Sequence, residues 1–171
     1  MGDLLRDRGD LAGALQASIE AQRVMQGLLA AEPNDVRRQH DMYISFAKIA
    51  VIKAVQGDLM GALHAYQEFQ SGMRRLAATI PNDASWQRDL VVAHASVGNI
   101  LRSQGDLAGA LQAYREAHAT ISRLVAANLN NADWKSDLSV TIQNIGDVLF
   151  AQGDLAGAST AYKDSHAINS T

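Results

Sequence analysis

The string Gly-Asp-Leu-Ala-Gly-Ala-Leu at Gly9–Leu15 returns at Gly57–Leu63, Gly105–Leu111 and Gly153–Ser159, each time 48 residues further on and with at most one change. A fixed period of this size makes each unit a supersecondary element that buries its apolar face only against its neighbours. Pro33 and Pro81, the two prolines of the chain, keep the same spacing. Position by position, the segments 57–104 and 105–152 share 21 of 48 residues. Architecture is therefore set before any single residue is weighed, and it points to an interaction scaffold.

The unit running from Asp83 to about Asn128 shows how each repeat folds. Pro81-Asn82-Asp83 is a turn that ends one helix and supplies an N-cap for the next. Trp86, Leu90, His94, Val97, Gly98 and Leu101 then recur at spacings of three and four, one face of an α-helix. Gly105 should close this helix in the left-handed region, where a side chain carries a Cβ penalty. Asp106 caps a second helix whose apolar face runs through Leu107, Ala110, Leu111, Tyr114, Ala117, Ile121, Leu124 and Val125. The product is an antiparallel helix pair. The same first-helix face reappears as Trp134, Leu138, Ile142, Ile145, Gly146 and Leu149, and earlier as Met42, Phe46, Ile49 and Ala50.

Small residues recur at two places. Gly98 and Gly146 lie inside first helices, with Ala50 as their counterpart. Gly13-Ala14, Gly61-Ala62, Gly109-Ala110 and Gly157-Ala158 open the second helices. Glycine inside a helix costs about 0.5–1 kcal/mol against alanine, so close backbone approach between helices is expected at both.

With these residues in place, the pattern resembles the tetratricopeptide repeat family. The match is carried by Gly98, Leu101, Gly105-Asp106, Ala110-Leu111, Tyr114 and Ala117, and again by Gly146, Leu149, Gly153-Asp154, Ala158 and Tyr162. It is partial in Ala50, Gly57-Asp58, Ala62-Leu63 and Tyr66, and in Gly2, Leu5, Gly9-Asp10, Ala14-Leu15 and Ala21. The usual repeat of this family is 34 residues long. The extra length here, split between two helices, adds nearly two turns to each and predicts helices of about 20 residues, or roughly 30 Å. Long repeats of this style are similar to those of large multidomain bacterial proteins.

The fold class that follows is an all-α, right-handed α-solenoid of antiparallel helix pairs. About three and a half repeats are expected in one array over residues 1–171, in units 1–32 (truncated), 33–80, 81–128 and 129–171. The incomplete first and last units suggest a piece of a longer array, whose open ends could stack on a neighbouring copy.

Composition narrows the function classes. The formal net charge is −3, with Lys and Arg scattered and no basic block, so no nucleic-acid surface is expected. There is no cysteine, hence no disulfide framework and no thiolate metal site. The segment from Met1 to Arg8 lacks the apolar core of a signal peptide. The most apolar stretch, Ile44–Val55, is broken by Lys48 and Lys53, so no membrane span is expected. Cytoplasm is the expected location.

No catalytic, cofactor or metal site is expected. Of the five histidines, His94 sits in a core slot filled by Phe46 and Ile142 elsewhere, and reads as a satisfied core side chain. His118 and His166 read as surface copies of one another, and His40 and His64 lack carboxylates at metal-ligand spacing. The Gly-Asp-Leu-Ala-Gly string lacks the Lys-Ser/Thr ending of a phosphate loop and follows no strand. Trp86 and Trp134 should fill space between successive repeats. Asp41, Asp89 and Asp137 should support their helix or pair with an arginine next door.

The family resemblance implies a concave wall lined by first helices. Its candidates are Lys48 and Val51, then Asn99, Arg102 and Ser103, then Gln143, Asn144, Asp147 and Phe150. These vary between repeats while the packing residues do not, as a partner-specific surface on a common frame would. Some members hold a peptide carboxylate with paired Lys and Asn. Asn99 and Asn144 match the asparagines, but Ala95 stands in the lysine slot and leaves that clamp incomplete. The implied activity is non-catalytic binding of a protein or peptide segment. The alternatives are a structural array that self-associates through its open ends, and a sensor region regulating an attached effector domain.

Overall fold

The computed structural model describes residues 10–169. Among the described residues run seven α-helices and no strand: α1 (Leu11–Ala31), α2 (Val36–Val55), α3 (Leu59–Thr79), α4 (Ala84–Ser103), α5 (Leu107–Ala127), α6 (Ala132–Ala151) and α7 (Leu155–Asn169). The remnant first helix expected around Gly2 and Leu5, the corner glycine Gly9 and the chain end at Thr171 lie outside the described residues. First helices α2, α4 and α6 have 20 residues, and second helices α1, α3 and α5 have 21. The lengths read from the 48-residue period are therefore the observed ones.

Among the described residues, the Gly-Asp pairs at Gly57, Gly105 and Gly153 are corners in which one helix ends and the next begins. Gly57, Gly105 and Gly153 have φ of 83°, 83° and 86°, in the left-handed region that disfavours a Cβ. At the middle corner the Gly105 amide donates to the Arg102 carbonyl (3.0 Å), and the Asp106 amide reaches back to the Leu101 carbonyl (2.9 Å). This double closure satisfies carbonyls that a helix end otherwise leaves without partners. Asp106 then turns its carboxylate forward and accepts from the Gly109 amide at 2.9 Å. Asp10, Asp58 and Asp154 do the same for Gly13, Gly61 and Gly157 at 2.8–2.9 Å. First helices start on Asp35, Asp83 and Asn131, whose side chains accept from backbone amides two or three residues ahead.

The corner changes the expected role of the Gly-Ala pairs. A Cβ on Gly109 would fall 2.4 Å from the Asp106 carboxylate oxygen, and Gly13 and Gly157 face their own cap aspartates in the same way. These glycines make room first for the cap, while Gly109 also faces Leu101 and Gly61 faces Lys53 of the preceding helix. The alanines beside them are the packing residues, with Ala14, Ala62 and Ala110 fully buried.

The helices gather into two compact units, one ending at Thr79 and one beginning at Ile80. In the first, α2 packs against both α1 and α3. Ile49, Ala50 and Ala65 form its cluster, with Leu15, Ile19 and Tyr66 against them. Tyr43 lies over Gly72, where any Cβ would collide with the ring, and Arg75 donates to the Tyr43 hydroxyl at 2.9 Å.

In the second unit α4 packs on α5, α5 on α6, and α6 on α7. One cluster holds Ala110, Tyr114 and Val148, with Leu101, Leu107, Leu111 and Ile145 packed on it. The other holds Val91, Ala117, Ile121, Leu124 and Leu138, with Trp134 and Ile142 at its edge. Trp134 thus fills space between two repeats, as expected of it. Ala93 is buried within the face read from the sequence, and Val91 and Ile100, which flank that face, are buried too. Val91 meets Leu138 of the next first helix through its cluster, so α4 is covered on more than one side. Two apolar slots of one repeat become polar together in the next. Val91 and Ala117 are replaced by Ser139 and Ser165, whose buried hydroxyls bond each other at 2.8 Å.

Gly98 does make the close approach expected of it, since a Cβ there would lie 2.7 Å from the Tyr114 ring. Gly98→Leu should lower stability by about 1–3 kcal/mol, the usual effect of forcing carbons into a filled site. Thermal unfolding followed by circular dichroism reads this as a fall of several degrees. A fall of a degree or so would mean that Tyr114 swings aside.

Candidate partner-binding site

Gly98 and Gly146 let a tyrosine ring of the following helix lie flat against the first helix, Tyr114 on α4 and Tyr162 on α6. That placement carries each phenol to the residue after the glycine. Tyr114 donates to Asn99 Oδ1 at 2.7 Å, and Tyr162 donates to Asp147 Oδ1 at 2.9 Å. Burial raises the Tyr114 phenol above its ordinary value. The Tyr162 phenol is raised chiefly by its bond to the Asp147 carboxylate. Both hydroxyls therefore stay protonated as donors through the neutral range.

Asp147 has a second task. Its other oxygen accepts from Arg102 of α4 at 2.9 Å, so the two first helices of the unit are tied across their surface. A second tie lies 14 residues, or about 21 Å, back along α4, where Arg88 meets Asp137 at 2.6 Å. The Arg88 guanidinium is held further above its ordinary range, first by the hydrogen bond to Asp137 and then by the charge behind it. Asp137 thus pairs with an arginine next door, one of the two roles expected of it. Ser103 turns its hydroxyl back to the Asn99 carbonyl at 2.9 Å.

The expected wall residues fall into four groups. Asn99, Arg102, Ser103 and Asp147 come together in the network just described. Gln143 (exposed) and Asn144 (half-buried) stand on α6 outside that network. Phe150, 61% exposed, borders an apolar depression of about 560 Å³ with Leu155, Ala158 and Tyr162. Lys48 (exposed) and Val51 (half-buried) lie on α2 of the first unit. The Asn99 side-chain oxygen accepts from Tyr114, which fixes the orientation of its amide. Sequence reading missed Tyr114 and Tyr162 as parts of this surface by treating them as core alone. The signal was present, since Gly98-Asn99 and Gly146-Asp147 each precede a tyrosine by the same spacing.

The histidines are placed individually. His94 is buried, with Nδ1 2.9 Å from Glu116 Oε2 on α5, which is the satisfied core histidine expected. His118 is not the simple surface residue read from its repeat with His166. It is half-buried, and burial lowers its pKa below the ordinary 6.5. His166 and His64 are exposed, and His40 sits 3.6 Å from Asp41. Among the described residues, no group of three or more His, Asp or Glu is placed to hold a metal ion. Nor is any described helix long and apolar enough to cross a membrane.

Two outcomes follow. A double-mutant cycle of Arg102→Ala with Asp147→Ala should give a coupling of about 0.2–1 kcal/mol, as for other solvent-accessible pairs, and it should shrink in high salt. A coupling of zero in low salt would remove the tie. For His118 the fold favours the neutral ring, so the unfolded chain binds more protons and stability rises with pH. Stability should therefore fall as pH drops from 6.5 toward the lowered value, and His118→Gln should flatten that slope in melts run at pH 7.5 and pH 5.5.

Residues 95–128 match the family model described as Tetratricopeptide repeat. No curated protein matches the chain. Among solved structures, the crystal structure of MamA aligns over 99% of this chain and 95% of its own, at 17% identity and a TM-score of 0.36. That of BtubC (BKLC) from P. vanneervenii aligns over 94% and 91%, at 14% identity and a TM-score of 0.34.

Proposed function

We propose that this chain, in which residues 95–128 match the tetratricopeptide repeat model, is a non-catalytic scaffold that binds a protein or peptide segment along the face of its first helices. The observation that carries this reading is the contrast between frame and face. One first-helix slot holds Val51, Asn99 and Asp147 in successive repeats, another Ala54, Arg102 and Phe150, and a third Lys48, Ser96 and Asn144. The Gly-Asp corners stay fixed throughout, and the glycine–tyrosine contact recurs in both repeats of the second unit. Units 1–32, 33–80, 81–128 and 129–171 act in this reading as one array, working in the cytoplasm.

The mechanism is geometric. Capped helices and the ties from Arg88 and Arg102 hold the first helices in place before a partner arrives, so little backbone freedom is lost on binding. Arg102 and Asp147 largely neutralise each other, which leaves hydrogen-bonding specificity to Gln143 and Asn144. An extended or helical segment fits such a face.

The test is capture from the native lysate with the chain as bait, beside a Gln143→Ala, Asn144→Ala variant of matched melting temperature. A protein held by the parent and lost by the variant is the expected result. Capture that is unchanged would move the partner to another surface, and recovery of the chain alone would favour a self-stacking array.

A further inference from the structure

Arg75 and Arg123 stand 48 residues apart, in the same slot of α3 and α5, and only Arg75 has an aromatic partner. In the first unit the Tyr43 ring lies over Gly72, and the Arg75 guanidinium stacks on it 5.3 Å from the centroid. Arg75 also donates to the Tyr43 hydroxyl at 2.9 Å. In the second unit the slots of Tyr43 and Gly72 hold Val91 and Thr120. Arg123 is left with two long bonds into its own helix, to the Ala119 carbonyl at 3.3 Å and the Thr120 hydroxyl at 3.5 Å. Among the described residues no carboxylate and no ring partners it.

A cavity of about 340 Å³ opens beside Arg123, bounded by three consecutive helices of one unit. Ala84 and Gln87 of α4 form one wall, Thr120, Arg123 and Leu124 of α5 a second, and Trp134 of α6 a third. The carboxylate of Asp83 does not neutralise the site, because it accepts from the Ser85 and Trp86 amides at 2.9 and 3.2 Å.

We propose that this cavity binds a small aromatic carboxylate, a single ring bearing its acid on a short arm. The first unit shows what this arginine slot takes: a ring on which the guanidinium stacks and an oxygen to which it donates. A carboxylate answers Arg123 better than a phenol does, since it matches the guanidinium fork and supplies the missing opposite charge. The ring meets Trp134 and Leu124, an aromatic and aliphatic lining of the usual kind for such sites. Size restricts the ligand to one ring, because a cavity of roughly 150 Å³ already holds a benzene and the remainder takes the acid and its arm. Neither Gln143 nor Asn144 lines the cavity, so the proposal goes beyond the reading of the first-helix wall.

The test titrates phenylacetate, p-cresol and the peptide Gly-Gly-Phe into the full chain and follows the indole N–H resonances of Trp86 and Trp134 by NMR. Phenylacetate should move the Trp134 resonance and leave that of Trp86 in place. The uncharged p-cresol should bind about tenfold more weakly, as expected for loss of a charge-assisted hydrogen bond. Arg123→Gln should weaken phenylacetate by a similar factor. Val91→Tyr combined with Thr120→Gly copies the first unit, fills the cavity with the protein's own ring and should abolish binding. Arg123 is exposed, so Arg123→Gln should melt with the parent and carries the test if the double variant does not fold. Equal binding of phenylacetate and p-cresol, binding of neither, indifference to Arg123→Gln, or shifts confined to Trp86 would each overturn the proposal. Tighter binding of Gly-Gly-Phe than of phenylacetate would also overturn it, by making the site one for a peptide end. Any of these results leaves the first-helix reading standing, since that is tested through Gln143 and Asn144.

Discussion

At each described Gly-Asp corner, a glycine at positive φ (Gly57, Gly105, Gly153) and the aspartate after it satisfy the end of one helix and the start of the next with no long loop between. The glycine amide and the aspartate amide bond backward, and the aspartate carboxylate bonds forward. Because the turn is so short, the second helix must fold back along the first, and the direction of the pair is set locally. The glycine that begins each Gly-Ala pair is part of the same device, since a side chain there would strike the capping carboxylate. The adjoining alanine then meets the partner helix at close range. The helix pairs inherit their geometry from this corner.

On that frame the contacts divide by how much they vary. Within the second unit, the glycine–tyrosine contact repeats and fixes how near two helices lie. Other slots change from one repeat to the next. Val91 and Ala117 become Ser139 and Ser165, trading an apolar contact for a hydrogen bond between hydroxyls. Arg102 becomes Phe150, trading an ion pair for apolar surface.

Much of this was legible in the sequence because it depends on near neighbours along the chain. Helix lengths follow from dividing 48 residues between two helices, and the caps follow from Asp and Gly at fixed offsets. The buried stripe follows from spacings of three and four. Legibility stopped where one side chain had to meet another from a different helix. The Arg102–Asp147 and Arg88–Asp137 pairs join residues more than 40 positions apart, and nothing local marks either arginine as paired. Tyr114 read as core because its ring is core, while the role of its hydroxyl depends on where Gly98 lets the ring lie. His118 and His166 read as surface copies of one another from their 48-residue spacing, but the two copies are covered to different extents.

By itself, the sequence determined the repeat, the helix pair, the capping corners and the apolar stripe, because backbone preferences and periodicity act over a few residues. It also determined which first-helix positions vary. Only the tertiary structure decided which varying positions spend their charge on each other and which remain outward, as Gln143 does. It alone distinguished glycines that face a cap from glycines that face a ring. Such distinctions rest on distances between helices, and those are set by the packing of all the side chains at once.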